Sequence, residues 1–391
     1  METVNQRSSG TELADVFRAC GMEFASDLHL SVCQQKAFAS VLACRTSAMG
    51  SHTLLCDQCE HHKICYNSCR NRHCPKCQYA RQLIWVEKLK ARLLPVRYFH
   101  LVFTIPESLR PLFYLNQKIC YDLLFASSAL AVKKAALNPD FLGVETGSLS
   151  VLHTWGQALT YHPHIHMLVP AGGLDPDHTQ WIHAHRKFFV PVKALASIYR
   201  GVFISGLTKL LIENSLRIPD SLTDSYTHPD QLKKMLYAKN WHVYIKKTFK
   251  GANQVISYLG RYTHRVAISN SRIVSCHDHR VSFRWKDYRD YKQKTMVLPV
   301  QEFAARFLRH ILPDNFYKIR YYGIMASCGG TSKMDLCLEL LGKPLIRSPL
   351  EGLTTYQILE KILGTQAFTC PCCQKGRMVH HPSQKKIRSP E

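Results

Sequence analysis

The chain has 391 residues, 46% of them hydrophobic, which is long enough to bury about two or three domain cores. Lys and Arg outnumber Asp and Glu by 51 to 28, a formal charge of +23 that excludes an acidic solvating chain and favours a polyanionic partner. No apolar run is expected to reach the ~18–20 residues a bilayer demands, and Met1–Gly10 lacks the apolar centre of a signal peptide. The expected place of work is the cytoplasm, in association with the nucleoid.

The 16 cysteines, if held in a reducing compartment, predict metal ligands or small buried side chains rather than disulfides. The first ninety residues form a Cys/His-rich module. Cys56-Asp-Gln-Cys59 and Cys74-Pro-Lys-Cys77 give the spacing C-x2-C-x14-C-x2-C. Each pair can form a tight turn that aims two thiolates at one point, so the four are expected to share one structural Zn2+. Cys44, His52, Cys69 and His73 could build a second, interleaved zinc site. Arg70, Arg72, Lys76 and Arg81 surround these ligands and predict a basic surface for DNA phosphate. An amphipathic basic helix over Ala80–Leu94 ends the module, and Pro95 closes it.

Tyr98–Ile105 alternates like a strand and is stopped by Pro106, and residues 107–137 carry Leu112, Leu115, Ile119, Leu123 and Leu124 at helical spacing. Ser148–Trp155 reads as a second strand. A third follows, in which His164 and His166 are flanked by Met167, Leu168 and Val169 and closed by Gly172 and Gly173. Residues two apart on a strand share a face, so both imidazoles leave the same side of the sheet, an arrangement suited to a divalent metal. Chance supplies roughly one His-x-His pair in a chain with 21 His. Others occur here at His162/His164, His183/His185 and His277/His279, so the strand setting, not the spacing, distinguishes this pair.

Residues 187–240 read as mostly helical, broken near Pro219 and Pro229. Val255–Arg265 is a predicted helix that places Tyr258 and Tyr262 on one face. Tyrosines at that spacing are more often core packing, and Tyr317/Tyr321 shares it. Here Arg261, His264 and Arg265 supply positive charge, which attracts phosphate as a DNA-binding surface and stabilises phenolate. Metal, tyrosines and basic channel together describe transesterification of DNA through a phosphotyrosine. Short strands are expected around Ile273 and over Val281–Trp285, then a helix over Gln301–Ile311. The tail after Ala367 carries Cys370 and Cys373, with His380 and His381 as possible co-ligands, and is expected to end in a disordered basic stretch.

Taken together, the zinc-ribbon module, Phe103-Thr-Ile-Pro106, His164-Ile165-His166, Tyr258-x3-Tyr262 and Phe316–Gly323 closely resemble the two-tyrosine HUH transposases of rolling-circle insertion sequences. Cys69–Gln78 and Tyr258–Ser269 are the most specific parts of a likeness that runs over roughly residues 30–325. The resemblance implies an α+β fold with an antiparallel HUH-endonuclease sheet flanked by helices. It divides the chain into a zinc-binding DNA-recognition module (1–94), a catalytic domain (95–325) with a helical insertion near 187–240, and a Cys-rich basic C-terminal region (326–391). It implies that His164 and His166 ligate Mg2+ or Mn2+. Tyr262 and Tyr258 would alternate as nucleophiles on single-stranded or melted DNA at element ends, leaving a 5′-phosphotyrosine and a free 3′-OH.

A third metal ligand is expected from Gln254, one turn before Tyr258, with Gln157, His153 and His100 as rivals. Competing readings are a plasmid-type replication initiator or relaxase, a zinc-dependent DNA-binding regulator without catalysis, and a zinc hydrolase that adds Asp175 to the two histidines.

Overall fold

The computed structural model describes residues 10–21, 23–90, 93–184, 189–220, 229–239, 241–249, 267–326, 333–343, 350 and 352–380. Its strands are β1 (Ser51–Cys56), β2 (His62–Tyr66), β3 (Tyr98–Thr104), β4 (Gly147–Trp155), β5 (Tyr161–Pro170), β6 (Gly172–Leu174), β7 (Trp181–His183), β8 (Val243–Phe249), β9 (Ile273–His277), β10 (Arg280–Lys286), β11 (Gln293–Pro299), β12 (Ile319–Gly323) and β13 (Met378–His380). The fold is α+β. A five-stranded sheet, ordered β12-β4-β5-β3-β8 and antiparallel throughout, forms its centre.

β3 is an aromatic and β-branched run, and it and its neighbours β4 and β5 are buried along nearly their whole lengths, as a pleated surface covered on both sides requires. One face carries Phe99, Leu101, Phe103, Leu152, Ile165, Met167 and Val169, packed against helices Gln117–Leu137 and Val192–Ile212 through Tyr121, Leu124, Phe125, Tyr199 and Phe203. Each such fully buried side chain contributes about 1.5–3 kcal/mol. The opposite face is divided. Tyr98, Leu149, Val151 and Leu168 lie under Leu89, Leu93, Cys337 and Leu338 at one end. The other end of that face carries histidines.

A second core joins segments far apart in the chain. Leu13, Val16, Phe17, Phe38 and Val41 from helices Leu13–Ala19 and Val32–Ala43 pack with Phe283 of β10 and with Phe303 and Phe307 of helix Val300–Leu308. These N-terminal helices, strands β8, β11, β12 and β13, and helices Lys333–Leu340 and Thr355–Leu363 lie beyond the sequence reading. The basic helix runs Pro75–Lys90, starting ahead of the expected Ala80. Proline is pre-organised for a first helical position, which explains the earlier start.

Helix Val192–Ile212 is long and apolar enough to cross a membrane by length and composition, contrary to the expectation that no run would be. Leu195, Tyr199, Phe203, Ile204 and Leu207 of this helix are buried. Gly323, at the end of β12, has φ +58°, and a Cβ there would lie 2.1 Å from the Thr146 carbonyl oxygen, so only glycine permits this edge of the sheet.

His310 follows helix Val300–Leu308 and is buried. Its Nε2–H donates to the Leu159 carbonyl at 3.2 Å, and Nδ1 accepts from the Thr154 hydroxyl at 3.2 Å. Burial in this neutral, satisfied state pushes its pKa down to about 4. Above pH ~6.5 both folded and unfolded forms are neutral and the full stability is present. Below it the unfolded chain takes a proton the folded form refuses, so stability falls from pH ~6.5 and levels off near 4, a loss of about 3 kcal/mol. Melting temperatures of wild type and His310→Gln between pH 7.5 and 4.5 check this: the variant's slope should be shallower. Parallel slopes would contradict it.

Candidate metal centres and catalytic face

Among the described residues, three clusters bring metal-ligating atoms within 4.8 Å of one another: Cys44/Cys69/Cys74/Cys77, Cys56/Cys59/Cys370/Cys373 and His153/His164/His166. Tetrahedral Zn2+ with Zn–S of about 2.3 Å places its sulfurs about 3.8 Å apart. In the first cluster Cys44–Cys77 and Cys69–Cys77 are each 3.6 Å apart. In the second, Cys56–Cys373 is 3.6 Å and Cys59–Cys370 is 3.8 Å. A disulfide would need about 2.05 Å.

These positions correct the expected ligand sets. Cys56 and Cys59 do not share a site with Cys74 and Cys77. β1 pairs with β2 as a hairpin, Ser51 opposite Tyr66 and Leu55 opposite His62. Cys56 and Cys59 sit at its tip, whereas Cys44 precedes its open end and Cys69, Cys74 and Cys77 follow it. A strand of that length, roughly 17 Å, keeps the two C-x2-C pairs apart.

His52 and His73 are not ligands of the second site either. His52 Nδ1–H donates to Asn67 Oδ1 at 2.8 Å. Buried His73 accepts the Leu312 N–H at 3.3 Å, and desolvation holds it neutral. His380 lies against His52, the rings tilted by 33° with centroids 4.9 Å apart, instead of completing the tail site, and His381 lies outside the described residues.

The basic residues of the module separate in the same way. Arg70 is exposed, with φ +54°. Arg72 was expected to face DNA; its guanidinium instead donates to the carbonyls of Phe316 (2.5 Å), Leu312 (3.3 Å) and Pro313. Lys76 pairs with Glu12 at 2.5 Å. Half-burial and three engaged donors explain the Arg72 correction: a guanidinium so held has little left to offer phosphate, whereas the Lys76 ammonium keeps two further N–H donors.

The histidine face is built from three adjacent strands. His164 and His166 alternate with buried Ile165 and Met167 on β5. His153 on β4 stands directly opposite His164, so its ring joins theirs. Ring centroids lie 4.4 Å (His153–His166) and 5.4 Å (His153–His164) apart. Trp155 stacks on His153 at 4.7 Å.

His164 Nδ1–H donates to the His162 carbonyl at 2.6 Å. Burial lowers the His164 pKa to about 4, so the ring is neutral and its Nε2 presents a lone pair. That lone pair faces His166 Nε2 at 3.1 Å, and His166 Nδ1 is held by His100 Nε2 of β3 at 2.9 Å. Two nitrogens each about 2.1 Å from an ion and at right angles would be about 3.0 Å apart, so the spacing fits one divalent cation. His100 therefore stands behind His166, where it sets that ring's orientation.

Of the expected third ligands, His153 is the one the structure brings to the pair. Gln157 turns away, its amide donating to the Tyr288 hydroxyl at 3.3 Å. Asp175 is tied into its own turn by Thr179 and Gln180. His162 accepts from Arg110 at 3.1 Å, and desolvation keeps it neutral. Tyr258, Tyr262, Gln254, Arg261, His264 and Arg265 lie outside the described residues.

Comparison with known proteins places these features. Residues 16–105 match the family described as "Transposase zinc-binding domain", and residues 147–332 match the family described as "Putative transposase". The chain is 41% identical over 381 residues to "Putative transposase y4qJ" of Sinorhizobium fredii, covering 95% of each chain. It is 30% identical over 347 residues to the transposase for insertion sequence element IS801 of Pseudomonas savastanoi pv. phaseolicola, covering 87% of this chain and 81% of that one. No solved structure matches the chain. A zinc-binding domain joined to a transposase region, with relatives matched almost end to end, identifies the chain as a member of the IS91/IS801 family of insertion-sequence transposases.

Proposed function

We propose that this transposase nicks and rejoins single-stranded or locally melted DNA at the ends of its element through a 5′-phosphotyrosine, as in rolling-circle transposition. The observation that carries the reading is the convergence of His153, His164 and His166 on one face of the sheet, with two ring nitrogens 3.1 Å apart. Three imidazole ligands fit Mn2+ better than the harder Mg2+. When bound there, such an ion acts as a Lewis acid on the scissile phosphate.

The chain's own groups do the rest. The phenol oxygen of Tyr262 or Tyr258 forms a bond to phosphorus while the bond from phosphorus to the 3′-oxygen breaks, and the phenol proton passes to that oxygen, leaving a 3′-OH. Two tyrosines allow one to hold the first cut end while the other attacks the next strand. The phosphotyrosine conserves the energy of the broken bond, so rejoining needs no separate source. Arg261, His264 and Arg265 stabilise phenolate and bind the backbone. Such a protein works in the cytoplasm on nucleoid DNA.

The test incubates purified protein with a single-stranded oligonucleotide carrying an element end, plus Mn2+, and resolves covalent adducts on a denaturing gel. An adduct in the wild type that disappears in the Tyr258→Phe/Tyr262→Phe double variant is expected. An adduct persisting in that variant would overturn the assignment.

A further inference from the structure

The zinc-binding domain match ends at residue 105, and the cluster Cys44/Cys69/Cys74/Cys77 lies wholly within it. The other thiol cluster does not. Two of its members, Cys56 and Cys59, come from the tip of the β1–β2 hairpin, and two, Cys370 and Cys373, come from the far end of the chain. We propose that these four cysteines bind a second structural Zn2+ that clasps the C-terminal segment to the N-terminal module.

Several independent features are built around that point. The sulfur spacings of 3.6 and 3.8 Å match the edges of a four-thiolate tetrahedron. Backbone N–H groups point at the sulfurs: Gln58 donates to Cys56 Sγ at 3.4 Å, Cys372 to Cys370 Sγ at 3.4 Å and Gly376 to Cys373 Sγ at 3.3 Å. Such donors favour thiolate over thiol, the form a metal requires. Both C-x2-C turns therefore have the same construction, one facing the other.

The surrounding chain is shaped to bring them together. β13 pairs antiparallel with β1, Leu54 opposite His380 and Cys56 opposite Met378, which turns the hairpin into a three-stranded sheet. The Arg377 N–H donates to Asp57 Oδ1 at 2.7 Å, while the Asp57 N–H donates to the Arg377 carbonyl at 3.0 Å. At the closest approach stands Gly376, where a Cβ would lie 2.4 Å from Cys56 Sγ and 2.7 Å from Gln58 Cβ. No side chain could be accommodated there without moving a ligand. Cys372, between the paired cysteines, is exposed and outside the cluster.

The test is the zinc content of the full-length protein, reconstituted, desalted and measured by mass spectrometry. Discounting zinc taken up by the histidine face, which is counted from the difference between wild type and His166→Ala, two ions per chain are expected for wild type and for Cys372→Ser, and one for the Cys370→Ser/Cys373→Ser double variant. A wild type that binds one ion, or a double variant that keeps two, would overturn the proposal. The unsubstituted protein supplies a second measurement that does not depend on a variant folding. After exchange of zinc for cadmium-113, two resonances characteristic of four-thiolate coordination are expected. A single resonance would sink the clasp.

Discussion

His166→Ala is expected to lower metal-dependent DNA cleavage by about a thousandfold. The loss of Lewis-acid stabilisation is worth several kcal/mol, and each 1.36 kcal/mol is a factor of ten. The size follows from position. His166 is buried, its Nε2 faces the lone pair of His164 at 3.1 Å, and β5 holds both rings on the face that His153 completes. Removing its ring leaves His164 and His153 without their common neighbour.

His100→Phe isolates a separate contribution. It deletes the 2.9 Å contact to His166 Nδ1 and keeps a planar ring of similar size. Here the expected result is an affinity for Mn2+ weaker by roughly 10- to 100-fold, the usual cost of releasing a ligand from its orienting partner. Titrating cleavage against Mn2+ distinguishes the two: high metal should restore His100→Phe and should not restore His166→Ala. Full activity in His166→Ala would remove the histidine face from the chemistry.

Stripping zinc from the Cys44/Cys69/Cys74/Cys77 cluster should have the largest effect on stability. A structural zinc site contributes about 10–16 kcal/mol of apparent binding energy, comparable with the ~5–15 kcal/mol that holds a whole domain folded. Cys44, Cys74 and Cys77 belong to the same apolar cluster as Phe38, Val41, Phe303 and Phe307. The damage should therefore extend beyond the ligands into helix Val32–Ala43. The central sheet has its own core against helices Gln117–Leu137 and Val192–Ile212 and should survive. Hydrogen exchange after chelation, or in Cys77→Ser, should show lost protection over residues 32–77 and unchanged protection in β3 and β5. Uniform loss across the chain would contradict this division.

Local patterns carried much of the histidine face. The run around His164 and His166 alternates with period two, and that period alone places both rings on one side of a strand. His153 could not be singled out in the same way, because it reaches the site through cross-strand register: its Cα lies opposite that of His164 across a hairpin whose turn length no motif specifies. The zinc ligands failed for a related reason. Pairing C-x2-C units by proximity in sequence ignores the hairpin that separates them, and the thiols the fold brings against Cys56 and Cys59 lie more than 300 residues away. The weaker strands were missed where burial is one-sided. β12 and β8 are edge strands, and β12 is only partly buried, so its alternation is faint. Arg72, amid basic neighbours, reads as a phosphate contact until its carbonyl partners are known.

Those three carbonyls give Arg72 a mechanical consequence. They belong to the loop that runs directly into β12, and β12 pairs with β4 two residues from His153, Ile319 lying opposite Val151. Any tilt of the cysteine-rich head against the central sheet must either break three hydrogen bonds at once or pull on the strand that borders the histidines. The guanidinium thus acts as a strut, through which the cysteine-rich head and the strand bordering the histidines share one load path.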